Sequence, residues 1–249
     1  MSRRLPLLLV LLSLTVLLAG CSMEDPIDPS NGFWDKYFVH PLSFSLDWFA
    51  DLPYSNYGIS ILIVTIIIRL LILPLTLKQI RSSKQMQEIQ PEIKKLKEKY
   101  KTDPKKQQEE TMRLFQKNGI NPLAGCLPLI VQMPILIALY NAIMRNDLIS
   151  NSTFLWLQLG ERDPYVLPIL AAITTYLQSK MMSSQMNNQM AGMQGIMMIF
   201  PVLIFVMALT FPSALPLYWV YGNIFTIIQS YFIYGNKKSK APKEGGLSK

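Results

Sequence analysis

The chain has 249 residues, half of them hydrophobic and 16% charged, with a formal charge of +8. Soluble domains carry about 25% charged residues, so this balance argues against a soluble enzyme, and the apolar content excludes a mainly disordered chain. One histidine and two cysteines are too few for most metal chemistry, which needs three or four ligands per site, and no cofactor is expected.

The first element is a targeting segment. Arg3 and Arg4 precede an apolar run, Leu5–Leu18. That run is short for a membrane span but suits the core of a signal peptide. It ends in Leu18-Ala19-Gly20-Cys21, which looks like a bacterial lipobox. Residues 1–20 are then a lipoprotein signal peptide, and Cys21 is a lipid anchor outside the cytoplasm. Cys126 lies in an apolar segment and reads as a small hydrophobe, so no disulfide is expected.

Residues 21–57 form an external N-terminal segment. Within it, residues 33–52 mix aromatics with a few charges, which suits an amphipathic helix in the outer membrane interface. His40 sits there without ligand partners at a useful spacing.

Five apolar segments follow: Gly58–Leu77, Leu123–Met144, Tyr165–Met182, Gly195–Phe211 and Pro216–Tyr234. Each is long enough as a helix to cross about 30 Å of hydrocarbon, the 17-residue one only just. The fold class read from them is an all-α membrane protein with a five-span core over 58–234.

The loops orient these spans. Residues 78–122 carry 12 Lys/Arg against 6 acids, and the tail 235–249 carries 5 against 1. Residues 22–57 carry 1 Lys against 6 acids, and 145–164 carry 2 Arg against 3. Basic loops stay in the cytoplasm. The N-terminus is therefore outside and the C-terminus inside, in agreement with the lipobox. The bacterial plasma membrane is the expected location.

The basic stretch after the first span reads as a helical hairpin within 78–122. Met86, Ile89, Ile93, Leu96 and Tyr100 are spaced 3, 4, 3 and 4, the seam of a coiled coil. Asp103-Pro104 is a break with a cap and a first-turn proline. A second helix, Lys105–Asn118, presents Met112 and Phe115.

Arg69 is the one charge deep in a span. In a straight helix it lies about 16 Å from Gly58, near the bilayer midplane. An arginine there costs at least about 2.5–3.5 kcal/mol. The spans contain no acid to pair with it. It is expected to face a wet cavity inside the bundle. Thr65 shares its face. Trp219, Asn223, Thr226 and Ser230 form one polar stripe in the last span, and Thr174 and Gln178 share a face of the third. Gln132 and Asn141 lie on opposite faces of the second. Such stripes also serve as ordinary interhelical bonding. Methionines cluster over Met181–Met198 with Gln and Asn between them, a flexible surface suited to varied apolar partners.

Several activities lack their residues. There is no His-Glu-x-x-His and no Walker-type phosphate loop. A proton-coupled transporter usually shows membrane carboxylates, and none is present.

The passage Asn121-Pro-Leu-Ala-Gly-Cys-Leu-Pro-Leu-Ile-Val-Gln-Met-Pro-Ile-Leu-Ile-Ala-Leu-Tyr140 resembles the YidC family of membrane protein insertases. So do Arg69 within TIIIRLLILPLT, Asp163-Pro-Tyr-Val-Leu-Pro168, Phe211-Pro-Ser-Ala-Leu-Pro-Leu-Tyr-Trp219, and Asn223 followed by Thr226-Ile-Ile-Gln229. The resemblance covers about 33–236. The lipobox and the lack of a large external domain are similar to the Gram-positive form, including its sporulation-linked paralogue.

The resemblance implies a five-helix core around a hydrophilic groove, open to cytoplasm and lipid and closed outside, with a cytoplasmic hairpin. It implies an insertase and folding chaperone, not an enzyme. Arg69 matches the family's groove arginine. Substrate contacts carry over to Val64, Thr65, Met133, Pro134, Leu136, Met207 and Trp219, and the polar positions Gln178 and Asn223 join them. Leu136 and Met207 replace aromatics of some relatives, and Trp219 stands where some have Tyr. The implied partners are nascent membrane proteins and membrane lipids, with the ribosome and the Sec translocon as candidates. No small-molecule substrate and no specific nucleic-acid sequence is expected. The basic tail, Lys237, Lys238 and Lys240, is a candidate contact for ribosome or anionic lipid. The rival reading is a small-solute transporter or channel with Arg69 as its anion site.

Overall fold

A computed structural model of the chain describes residues 26–30, 32–120, 127–183 and 191–235. Cys21, Cys126 and the basic tail lie outside the described residues, as do most side chains of the methionine cluster.

The described residues are mostly helical. A five-residue π-turn, Asp35–Val39, runs into helix α1 (His40–Ala50). Its amphipathic pattern is plain. Asp35, Val39, Ser43 and Leu46 are buried on one face, while Phe33, Tyr37, Phe44 and Trp48 are exposed on the other. The buried face packs on α2 (Tyr57–Leu71). Asn56 caps α2 by accepting a hydrogen bond from the Ile59 amide at 3.0 Å. The Ser60 hydroxyl, fully buried, donates to the Leu46 carbonyl at 2.6 Å and ties α2 to α1.

The first apolar segment is not one straight helix. It breaks at Ile72 and continues as α3 (Leu73–Glu88), bent by 54° from α2. Pro74 supplies the reason: it has no amide for the Leu70 carbonyl, and its ring crowds that carbonyl. Arg69 therefore stands in the last turn of α2, not in mid-helix as a straight span over Gly58–Leu77 required.

The hairpin is α4 (Gln90–Lys99) against α5 (Pro104–Lys117). Asp103 Oδ1 accepts from the Lys106 amide at 3.0 Å, and Pro104 occupies the first turn. Ile89, Ile93, Leu114 and Ile120 form its small core, with Met86, Leu96 and Phe115 against it. Met112, expected on the inner face, is 45% exposed; Leu114 takes that place. The two are 200° apart on a helix, so choosing one excludes the other.

The remaining helices are α6 (Leu127–Met144), a short α7 (Asp147–Ser150), α8 (Val166–Ser183), α9 (Ala191–Thr210) and α10 (Ala214–Gly235). Between α7 and α8 lies a ribbon of two short strands, β1 (Thr153–Phe154) and β2 (Leu157–Gln158), a departure from an all-helical expectation. Among the described residues no single helix passes as a membrane span alone, while α2 and α3 pass as a bent pair.

Helix α10 is central. It packs on α2, α6 and α8, and α9 packs on α8. Pro212 to Val220 are all buried, which the small and apolar sequence PSALPLYWV permits. One end of the bundle gathers α1, the start of α2, the end of α6, the ribbon and the starts of α8 and α10. The hairpin leaves from the opposite end.

Candidate functional site

The site centres on the contact between α2 and α10. Arg69 extends from the last turn of α2, the end of the helix dipole that favours a cation. Its guanidinium lies against Gly222 of α10: a Cβ built there falls 2.6 Å from Arg69 Nη2. Arg69 Nε is buried and has no hydrogen-bond partner among the described residues, and no ion pair there involves this residue. A buried donor in that condition calls for a water or a guest acceptor. Gln229 Nε2, two turns further along the same face of α10, is in the same condition. Sequence reasoning quoted Gln229 only as a motif end.

Asn223 is buried beside this contact. Its amide donates to Thr174 Oγ1 at 3.0 Å and Thr175 Oγ1 at 2.8 Å, which binds α10 to α8. The polar stripe of α10 thus does interhelical bonding at this point. Gln178, one turn beyond Thr174 on α8, is half-buried.

Other expected groove residues are packed more tightly. Val64 and Thr65 are buried in α2, and the Thr65 hydroxyl donates to the Ile61 carbonyl at 2.6 Å. Leu136 belongs to the main buried cluster, and Met207 packs on it from α9. Met133 and Pro134 are half-buried on α6, where Pro134 interrupts the backbone ladder. Trp219 is 8% exposed and completes an aromatic chain: Phe211 lies 6.1 Å from it and 5.8 Å from Tyr140. The structure brings Arg69, Gly222 and Asn223 to one level of the bundle. Trp219 lies nearer the loop-rich end, one helical turn from Asn223. Gln132 of α6 donates to the buried Tyr218 hydroxyl at 3.0 Å, and Asn141 bonds its own helix through the Ile137 carbonyl at 2.9 Å.

The loop-rich end is tied together by side-chain bonds. Asp35 and Arg145 form a bidentate ion pair at 2.6 and 2.8 Å, with side chains only 8% and 5% exposed. The next residue, Asn146, donates to Ser43 Oγ and the Asp47 carboxylate at 3.0 Å. The Ser213 hydroxyl and amide both donate to the Glu161 carbonyl, at 2.7 and 2.6 Å, fixing the start of α10 to the preceding loop. Asp163 accepts from the amides of Tyr165, Val166 and Leu167 and from the Trp156 indole. Burial pushes its carboxyl up, but these four donors outweigh burial and hold it below the ordinary carboxylate value. The ion pair and these caps were invisible to spacing arguments, because their partners are distant in sequence or belong to the backbone.

Asp163→Ala is expected to cost about 1–2 kcal/mol, the loss of a helix cap. Because the folded carboxyl titrates low, its contribution is full above the unfolded value near 4 and fades as pH falls through the folded one. Thermal unfolding of wild type and variant in detergent should therefore differ at pH 7 and converge in acid. Curves that coincide at pH 7 would remove the capping role.

A helical bundle with a cation set between two of its helices, its loops tied together at one end, is the class of protein these features define. The family described as 60Kd inner membrane protein matches residues 48–241. The chain is 52% identical to "Membrane protein insertase MisCA" of Bacillus subtilis, over all of this chain and 99% of that protein. It is 50% identical to "Membrane protein insertase YidC 2" of Bacillus anthracis over the full length of both. The fold matches "Active YidC insertase crystal structure with the first transmembrane domain resolved" with a TM-score of 0.66 and 28% identity. That match covers 82% of this chain and about half (48%) of the other. The chain belongs to the YidC family of membrane protein insertases.

Proposed function

We propose that this insertase moves nascent membrane proteins into the bilayer through a groove centred on Arg69. The observation that carries the reading is the Arg69 guanidinium, set between α2 and α10 without a carboxylate partner among the described residues. A client span with a polar outer tail must carry that tail across hydrocarbon. A wet half-channel shortens the barrier, and a cation inside it attracts acidic residues of the tail strongly where the dielectric is low. The apolar client segment then passes to lipid, with burial worth about 25 cal/mol per Å². No bond is made or broken. Hydrophobic transfer and the membrane potential supply the drive.

In this reading the helix pair α2/α3 and helices α6, α8, α9 and α10 are the five spans. The sealed end faces outward, and the hairpin and tail face the cytoplasm. Sealing supports a one-sided groove, since the ion pair and caps tie the loops over that end. Cys21 is the lipid anchor of the outer segment, and the exposed aromatic face of the π-turn and α1 lies in the outer interface. Nascent membrane proteins are the clients. The ribosome and the Sec translocon are candidate partners through the basic hairpin and tail.

The test is reconstitution into liposomes with this protein alone. A single-span client with an acidic outer tail should insert without nucleotide, its tail becoming protected from external protease. Solute flux without client protection would replace this reading with the transporter one.

A further inference from the structure

We propose that Gly222 is the seat of the Arg69 guanidinium, and that the missing side chain at 222 sets where the groove's positive charge stands. The inference rests on the Arg69 groove reading and adds a positioning residue to it. Gly222 is buried on α10, where α10 crosses the last turn of α2. A Cβ built on it meets three atoms of one group: Arg69 Nη2 at 2.6 Å, and Cζ and Nε both at 3.4 Å. The guanidinium therefore lies on the bare backbone of α10.

The backbone there is not what holds the charge. The Gly222 carbonyl already accepts from the Thr226 hydroxyl at 2.8 Å, and no hydrogen bond joins Arg69 to this backbone among the described residues. The glycine contributes space. Because the obstructed atoms are the far end of a flexible side chain, an added methyl displaces the guanidinium and leaves the helices in place. Reaching even the tight 3.4 Å contact from 2.6 Å requires a shift of 0.8 Å. Moving the cation by that distance changes what it can attract. An ion-pair energy falls by about one fifth when a contact near 4 Å opens by about 1 Å. At an effective dielectric near 20 that is about a fourfold loss of preference for an anionic tail.

The same position also limits size. Larger residues at 222 are expected to push the cation further, so the loss should grow from Ala to Val. Lysine at 69 has no Nη2 and should be indifferent to the methyl.

The experiment uses full-length protein in liposomes and two single-span clients that differ only in an acidic or an uncharged outer tail. Gly222→Ala, Arg69→Lys, their combination and Arg69→Ala are compared with wild type, with thermal unfolding of each in detergent. The expected result is an about fourfold loss of acidic-tail insertion in Gly222→Ala, no loss for the uncharged tail, and a melting temperature no lower than that of wild type. On the Arg69→Lys background the added methyl should have no further effect, a non-additivity that contact between the two residues requires. Equal loss for both tails, or the same loss on both backgrounds, would overturn the seat and leave Gly222 a packing residue. Insertion that is indifferent to Gly222→Ala but lost in Arg69→Ala would overturn the seat alone. Insertion indifferent to Arg69→Ala would overturn the groove charge, and the seat with it.

Discussion

Arg69→Ala is expected to lower insertion of an acid-tailed client by at least about tenfold, while Arg69→Lys keeps most of it. The magnitude follows from the setting. A charge-assisted contact is worth about 1.5–3 kcal/mol, and each 1.4 kcal/mol is tenfold. Lysine retains the charge but not the planar fork, so it should fall between the two. The same series gives a second reading through stability. A partly buried cation with no ion pair among the described residues costs solvation energy, and removing it relieves that cost. The melting temperature of Arg69→Ala should therefore hold or rise while insertion falls. A structural arginine, by contrast, would lose stability and insertion together. Equal insertion by all three proteins would place the driving force in the apolar flank of the groove and not in its charge.

The helical plan was legible because it rests on composition and period. Apolar runs are long, and the basic linker repeats at 3 and 4, so helices and hairpin could be placed within a few residues. Asp103 and Pro104 announce their own break, and the structure shows both the cap and the turn. The break at Ile72 was harder. Pro74 was in view, but membrane helices tolerate proline, so a straight span remained the simpler reading. Its consequence is large, because it moves Arg69 from a helix middle to a helix end.

The site was legible only in part. Arg69 stood out because an isolated charge in an apolar run violates the local pattern. Gly222 gave no such signal, since a glycine in an apolar helix is ordinary until a guanidinium is found on it. Val64, Leu136 and Trp219 came through resemblance, and their side chains are buried in this conformation. The polar stripe of α10 could not say whether Asn223 faced water or a neighbouring helix. Its bonds to Thr174 and Thr175 answer that for its amide.

Breaking the Asp35–Arg145 pair is expected to be strongly destabilising, at about 3 kcal/mol. The pair is bidentate and almost fully buried, so either single variant leaves a charge without its main partner. Asp35→Ala removes the carboxylate and keeps the Pro26 carbonyl at 3.0 Å, which accepts a hydrogen bond but carries no charge. Arg145→Met leaves a buried carboxylate, which is costlier to strand. Each should lower the melting temperature by about 6–12 °C, taking about 2–4 °C per kcal/mol for a chain of this size. The double variant Asp35→Leu with Arg145→Met should recover most of the loss, since two apolar residues replace a buried pair at little cost. The effect should also spread. Arg145 neighbours Asn146, which holds α1 through Ser43 and Asp47, so freeing the end of α6 loosens the whole sealed end. Protease added to the outer face of liposomes should then cut between residues 26 and 56 faster in the single variants than in wild type or the double. Single variants with wild-type melting and cleavage would mean that the caps at Asp163 and Ser213 close that end without the ion pair.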